Sequence, residues 1–312
     1  MKVSVIGAGN VGSTVANVIA QRNFCKEVVL LDIKEGVSEG KGLDMWEASP
    51  IGLYSTRITG VTNDYSATAG SAVTVITSGI PRKPGMSRDD LIGTNAKIVK
   101  SVTEQVVKHS PDTIIIVVAN PLDVMTYCAY LTAGLPSNKV FGMAGILDTA
   151  RYRSFLALEL NVSPKDINAL LMGGHGDTMV PLPRYTNVAG IPVTELVSKE
   201  RLEEIIQRTK KGGGEIVKLM GTSAWYAPGA AAAQMAEAIV KDEKRVFPVC
   251  AWLDGDYGMK DIYLGVPVVL GAGGIEKIIE VDLNEEEKGM LETSAGHVRG
   301  VMKVLDDMSL FA

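Results

Sequence analysis

KVSVIGAGNVG, residues 2–12, is an apolar, β-branched run that ends in GxGxxG and leads into a helical pattern over residues 10–22. Strand, glycine-rich turn and helix in that order open a dinucleotide-binding βαβ unit. The glycines allow a tight turn and let the backbone approach a pyrophosphate, which then meets the positive end of the helix. Alone, Gly7-Ala8-Gly9-Asn10-Val11-Gly12 is weak evidence. Its surroundings make it specific, because Asp32 lies 20 residues beyond Gly12, at the end of a second apolar run, EVVLLD (27–32). A carboxylate there accepts hydrogen bonds from the adenosine ribose and repels a 2′-phosphate, so NAD is expected rather than NADP. The plainer alternative is a glycine turn with a capping aspartate.

Outward from this unit, short apolar runs alternate with helical patterns. Strands are expected at 57–62, 72–79, 113–120 and 139–145, with helices at 40–48, 91–108 and 123–131 between them. Near-continuous apolar strands separated by helices imply a parallel sheet covered on both faces. That is an α/β, Rossmann-type doubly wound arrangement. The second half reads differently. A helix at 148–160 precedes INALLMGG (167–174) and TMVPLPRYTNV (178–188), which suggest antiparallel strands. A charged helical stretch over 199–220 is expected to break in two at Gly212-Gly213-Gly214, since each glycine costs a helix about 1 kcal/mol. A further helix at 230–241, a meander of strands at 245–253, 261–267 and 268–281, and a helix at 285–307 complete an α+β half. The expected division is 1–145 for the cofactor and 146–312 for the substrate, with no flexible linker between them.

Composition narrows the function class. The 312 residues carry a net charge of −5, which argues against a nucleic-acid surface. No apolar run reaches the roughly 18 residues that cross a bilayer. The chain opens directly on MKVSVIGAGNVG without a charged-then-apolar leader, so export is not expected and a cytoplasmic setting is. Cys25, Cys128 and Cys250 are too widely spaced for a disulfide framework or a metal site, and no His–His or Cys–His spacing suggests a metal.

Only three histidines exist, His109, His175 and His297. His175 lies in GGHGD, where flanking glycines leave the imidazole uncrowded; its ordinary titration range suits proton transfer at neutral pH. A turn histidine that caps backbone groups is the competing reading. His109 sits at a helix end and reads as a partner of the helix dipole. GILDTARYR sets Asp148 and Arg151 three apart, on one face of a helix start. A carboxylate can orient a histidine, and an arginine can grip a carboxylate with two parallel bonds; a local salt bridge would use the same pair. Asn120 ends the strand of VVANPLDV, where ligands of open α/β sheets bind. PRKPGMSR (81–88) places Arg82 and Arg88 on a proline- and glycine-punctuated loop, which read alone is a solvated loop.

In this order, GAGNVG, LLD, PRKPGMSR, VVANPLDV, GILDTARYR and GGHGDTMVPL resemble the lactate/malate dehydrogenase superfamily over essentially the whole chain, in particular its bacterial, lactate-dehydrogenase-like malate branch. The resemblance implies reversible oxidation of (S)-malate to oxaloacetate by hydride transfer to NAD, within the tricarboxylic acid cycle. It implies a proton relay of His175 and Asp148, with Arg151 on the substrate's C1 carboxylate and Arg88 polarising the carbonyl. Asn120 would contact nicotinamide and substrate; Asn95, Val118 and Ala119 would line the cofactor path beside Gly7, Ala8, Gly9, Asn10, Val11, Gly12 and Asp32. Arg82 would hold the distal carboxylate, where lactate enzymes typically carry Gln. Ala224 falls where they usually carry Thr. The Asn120–Pro121 bond is commonly cis in the family, and homotetramers are usual, dimers less so. L-lactate dehydrogenase is the alternative. An NAD-dependent glycosidase would need a metal-binding Cys–His pair, which is missing here. An NAD-sensing module without catalysis would leave the set of Asp148, Arg151, His175, Arg82 and Arg88 unexplained.

Overall fold

The computed structural model describes residues 1–81, 88–308, 310 and 311. The opening unit folds as its sequence requires, into β1 (Lys2–Ile6), α1 (Asn10–Arg22) and β2 (Glu27–Asp32). α2 (Val37–Glu47), α3 (Ser49–Gly52), β3 (Arg57–Thr62), β4 (Val73–Ile76), α4 (Arg88–His109), β5 (Ile114–Val117), α5 (Leu122–Ala133) and β6 (Val140–Gly142) follow. These six strands are parallel neighbours in the order β3-β2-β1-β4-β5-β6, so the winding direction reverses between β1 and β4. Ligands of doubly wound sheets bind at such a reversal, beyond the carboxyl ends of the strands.

The apolar strands feed two cores, because alternate side chains of a strand point to opposite faces. Val73, Val75, Ile114 and Ile116 face one core, while Ile76, Ile115 and Val117 face the other. Burying each such side chain contributes about 1.5–3 kcal/mol. Four-residue strands with no polar face are therefore held firmly. α4 complements its own dipole, with Asp89 and Asp90 in the first turn and Lys108 and His109 in the last.

The second half begins with α6 (Gly145–Leu160) and continues through two-residue antiparallel pieces, β7 (Ile167–Asn168), β8 (Leu171–Met172), β9 (Val180–Pro181), β10 (Asn187–Val188) and β11 (Ile191–Pro192). β8 pairs with β9, and β10 with both β7 and β11. α7 (Val193–Leu196), α8 (Lys199–Met220), α9 (Tyr226–Val240), β12 (Arg245–Asp254), β13 (Lys260–Gly271), β14 (Gly274–Ile278) and α10 (Glu285–Asp306) complete the chain. The meander does not form a separate layer. β12 pairs antiparallel with β6 at Cys250 and Gly142, so β14-β13-β12 extend the first half's sheet to nine strands. One strand, β13, runs through residues 267 and 268, where two were expected, because Pro267 and Val268 both stay in register with β12. The halves also meet through α1 and α9, where Gly229 lies against Thr14 and Arg22 pairs with Glu237 at 2.7 Å.

The expected break at Gly212–Gly214 is absent, and α8 is one helix of 22 residues. Tertiary packing outweighs the glycine cost. Leu202, Ile205 and Ile206 bury against Tyr152, Leu156 and Ile167, and Arg208 spans the glycines to reach Glu215 at 2.7 and 3.0 Å. Gly212 also has a spatial reason, since a Cβ there would lie 3.2 Å from Cδ of Arg151. The glycines let α8 pass close to the arginine of α6.

Candidate active site

The phosphate loop is shaped by backbone contact. A Cβ on Gly12 would lie 1.8 Å from the Gly7 carbonyl oxygen, and Gly7 itself has φ +105°. Ser13 donates to the Gly9 carbonyl at 2.9 Å; the amides ahead of it have no intrahelical acceptor, and no side chain caps them. A Cβ on Gly9 would meet nothing within 4 Å, which leaves open space over these amides. Free donors at a helix start beneath open space fit a pyrophosphate. Asp32, at the end of β2, accepts from the Ala8 amide at 2.6 Å and the Lys34 amide at 3.0 Å. It thus braces the loop as a capping residue would. Gly12→Ala forces this turn apart, and we expect about 1–3 kcal/mol of destabilisation in urea unfolding. Wild-type stability would contradict the packing just described.

Across the sheet's carboxyl edge, Asn120 follows β5 with a cis bond to Pro121. Asn95, on α4, is almost wholly buried and clamps two chain segments. Its amide oxygen accepts from the Ile80 amide at 2.8 Å, while its nitrogen donates to the carbonyls of Ile80 at 3.1 Å and Asn120 at 2.6 Å. Asn95 thereby ties the backbone at Ile80 to the end of β5. Its polar atoms are engaged with the backbone rather than turned to a ligand. Arg82 and the side chain of Arg88 lie outside the described residues.

His175, Asp148 and Arg151 come together. His175 Nδ1 lies 2.8 Å from Asp148 Oδ2, and Arg151 Nη1 donates to Asp148 Oδ1 at 3.0 Å. Asp148 is 2% exposed. Both of its oxygens are engaged, which orients the imidazole with Nε2 on the far side of the ring. Arg151 Nε is buried without a hydrogen bond among the described residues, and the side chain also lines the cavity described below. Burial pushes the His175 pKa down, but the charge and hydrogen bond of Asp148, aided by Asp123, outweigh it and leave the imidazole above its ordinary 6.5. The stability this histidine contributes is complete below the unfolded value near 6.5 and is lost as pH rises through the folded value.

These groups face a cavity of about 460 Å³, lined among others by Val11, Val118, Asn120, Arg151, His175 and Ala224. It runs from the phosphate loop to the imidazole, so one ligand could touch both. Ala119 is buried beside Asn120. Lys210 and Lys211 of α8 also border the cavity, and neither forms an ion pair among the described residues. Sequence reading passed over both, because two lysines in a charged helix look like a solvated face. It also passed over Asp123, which accepts the His175 amide at 3.1 Å. No local spacing links residues 52 apart in the chain. His297 borders a second cavity of about 370 Å³ that also reaches His175 and Asp123. Among the described residues no cluster of His, Cys, Asp or Glu is arranged for a metal, and no helix is long and apolar enough to cross a membrane.

The lactate/malate dehydrogenase NAD-binding domain matches residues 1–142, and the alpha/beta C-terminal domain of the same enzymes matches residues 146–307. The malate dehydrogenase of Cytophaga hutchinsonii is 69% identical over 308 residues, 99% of each chain. The solved malate dehydrogenase of Salinibacter ruber superposes with a TM-score of 0.95 at 61% identity, over 99% of this chain and 98% of that one. A lactate dehydrogenase from Cryptosporidium parvum, solved with lactic acid and NAD, reaches a TM-score of 0.94 at 40% identity, over 98% of each chain. Fold alone therefore does not separate the two activities.

Proposed function

The chain belongs to the lactate/malate dehydrogenase family, and on that premise we propose that it interconverts (S)-malate and oxaloacetate with NAD. The observation that carries the reading is the shared carboxylate of Asp148, with His175 at 2.8 Å on one oxygen and Arg151 at 3.0 Å on the other, facing one cavity with Asn120. NAD, when bound, would supply the hydride acceptor for malate oxidation and the hydride donor for oxaloacetate reduction.

The open amides of Gly9, Asn10, Val11 and Gly12, with Gly7 and Ala8 completing the turn, would hold the pyrophosphate, and Asp32 the adenosine ribose. Val118, Ala119 and Asn120 would line the path to the nicotinamide, with Asn95 bracing it. Neutral His175 takes the hydroxyl proton of malate on Nε2, and the imidazolium gives it back to oxaloacetate. Asp148 holds the ring orientation and offsets the imidazolium charge. Arg151 orients the substrate through its C1 carboxylate by paired hydrogen bonds, while Arg88 stabilises charge on the reacting oxygen.

Arg82 would supply the second cation that a dicarboxylate needs. Ala224 in the cavity wall supports malate over lactate, because a methyl leaves room that a threonine would fill. The division into 1–145 for cofactor and 146–312 for substrate, action in the cytoplasm, and assembly into a homotetramer belong to the same proposal. Support for self-association comes from the exposed apolar side chains Leu43, Trp46, Ile51 and Leu53 on α2 and just beyond it.

The pH dependence tests the proton role. We expect kcat/KM for malate oxidation to rise with pH along a limb centred above 6.5, and oxaloacetate reduction to fall over the same interval. Steady-state rates in both directions measure it. Profiles that stay flat through the histidine range would remove His175 from the proton transfer.

A further inference from the structure

A second carboxylate stands behind the histidine. Asp123, on the first turn of α5, accepts the backbone N–H of His175 on Oδ2 at 3.1 Å and the Cys250 thiol on Oδ1 at 3.3 Å. The segment it holds is anchored on other sides too. Gly173 exchanges hydrogen bonds with Gly265 of β13 at 2.8 and 3.1 Å, and the Gly174 amide donates to Ser294 of α10 at 2.8 Å. Three elements thus hold the backbone of residues 173–175, and of the groups that make these backbone contacts only Asp123 is a carboxylate.

We infer that Asp123 is a positioning residue for His175, fixing the backbone of its loop and favouring the imidazolium by its negative charge. This rests on the reading of His175 as the proton carrier. Enclosing a charge here costs several kcal/mol, and the imidazolium of His175, when formed, sets a charge of opposite sign beside it. Burial leaves the Asp123 carboxyl above its ordinary value, with the charge of Asp148 adding to the rise, although the His175 charge, the Cys250 thiol and the His175 amide act the other way. Other titratable or charged groups near the ring are Asp148 and Arg151 of α6, Lys210 and Lys211 of α8, Asp177 in its own segment, and His297 of α10. Asp148 already occupies Nδ1, so Asp123 acts through space and through the loop.

The test is Asp123→Asn in the full-length protein labelled with 13C-histidine. Only three histidine signals need resolving, and His175→Asn assigns one of them. We expect the His175 titration to move down by about half a pH unit or more. The acid limb of malate oxidation and the basic limb of oxaloacetate reduction should move with it. An unmoved titration overturns the inference, even where kcat falls, because a purely structural role would lower rate without moving the limbs. Should D123N not fold, Asp123→Ser likewise removes the charge while keeping one acceptor and should move the titration the same way; no movement there overturns the inference equally. The titration needs no substrate. A chain that reduces neither oxaloacetate nor pyruvate would sink the proposed activity and leave this result standing.

Discussion

His175→Asn should lower turnover of malate and of oxaloacetate by about 10²–10⁴-fold, the usual contribution of a positioned acid–base group, while NADH still binds as in the wild type. The separation follows from the geometry. The imidazole sits at one end of the cavity and the glycine loop that would hold the pyrophosphate at the other, so removing one leaves the other's contacts in place. Asparagine can also donate to Asp148 Oδ2, now 2.8 Å from His175 Nδ1, which keeps the buried carboxylate satisfied and the fold intact. Steady-state rates together with a fluorescence titration of NADH measure the two effects. Turnover within tenfold of wild type would end the acid–base role, whereas loss of NADH binding would mean that the substitution had collapsed the cavity.

Arg82→Gln should move the preference from oxaloacetate towards pyruvate by about 10²-fold or more. Two effects add. Oxaloacetate loses a charge-assisted hydrogen bond, about 1.5–3 kcal/mol, or roughly ten- to a hundredfold in kcat/KM at 1.4 kcal/mol per decade. Pyruvate gains by a similar factor, because binding it no longer desolvates a guanidinium left without a partner. Arg151 cannot replace the lost cation, since it would hold the C1 carboxylate and already pairs with Asp148 at 3.0 Å. The ratio of kcat/KM values before and after substitution reads the effect. An unchanged ratio would show that the distal carboxylate is recognised elsewhere, and Lys210 and Lys211 at the cavity wall would be the next residues to replace.

The parallel half was legible because its physics is local. GxGxxG after an apolar run, a carboxylate 20 residues on, and strands without a polar face leave few arrangements open. The same locality explains the pairing of Asp148 with Arg151, three residues apart on one helix. What was not legible depends on distant partners. Gly212–Gly214 looked like a break because intrinsic propensity takes no account of Arg151 beneath the helix or of the Arg208–Glu215 pair across it. The strands of 245–278 looked like a separate meander because nothing in their pattern reveals that β12 will meet β6. Asp123 was hidden for a similar reason, as its two donors come from elements 52 and 127 residues away. Asn95 was located by resemblance alone, and its three backbone hydrogen bonds give it a bracing part that its helical surroundings do not suggest.

The most direct measurement is the oxidation of NADH by the purified wild-type protein, with oxaloacetate and pyruvate compared side by side. A preference for oxaloacetate of about 10²-fold or more in kcat/KM is the expected result, because the second carboxylate that Arg82 would hold is absent from pyruvate. A preference for pyruvate would keep the sheet, the glycine loop and the His175–Asp148 pair, and would contradict the assignment of malate as the substrate.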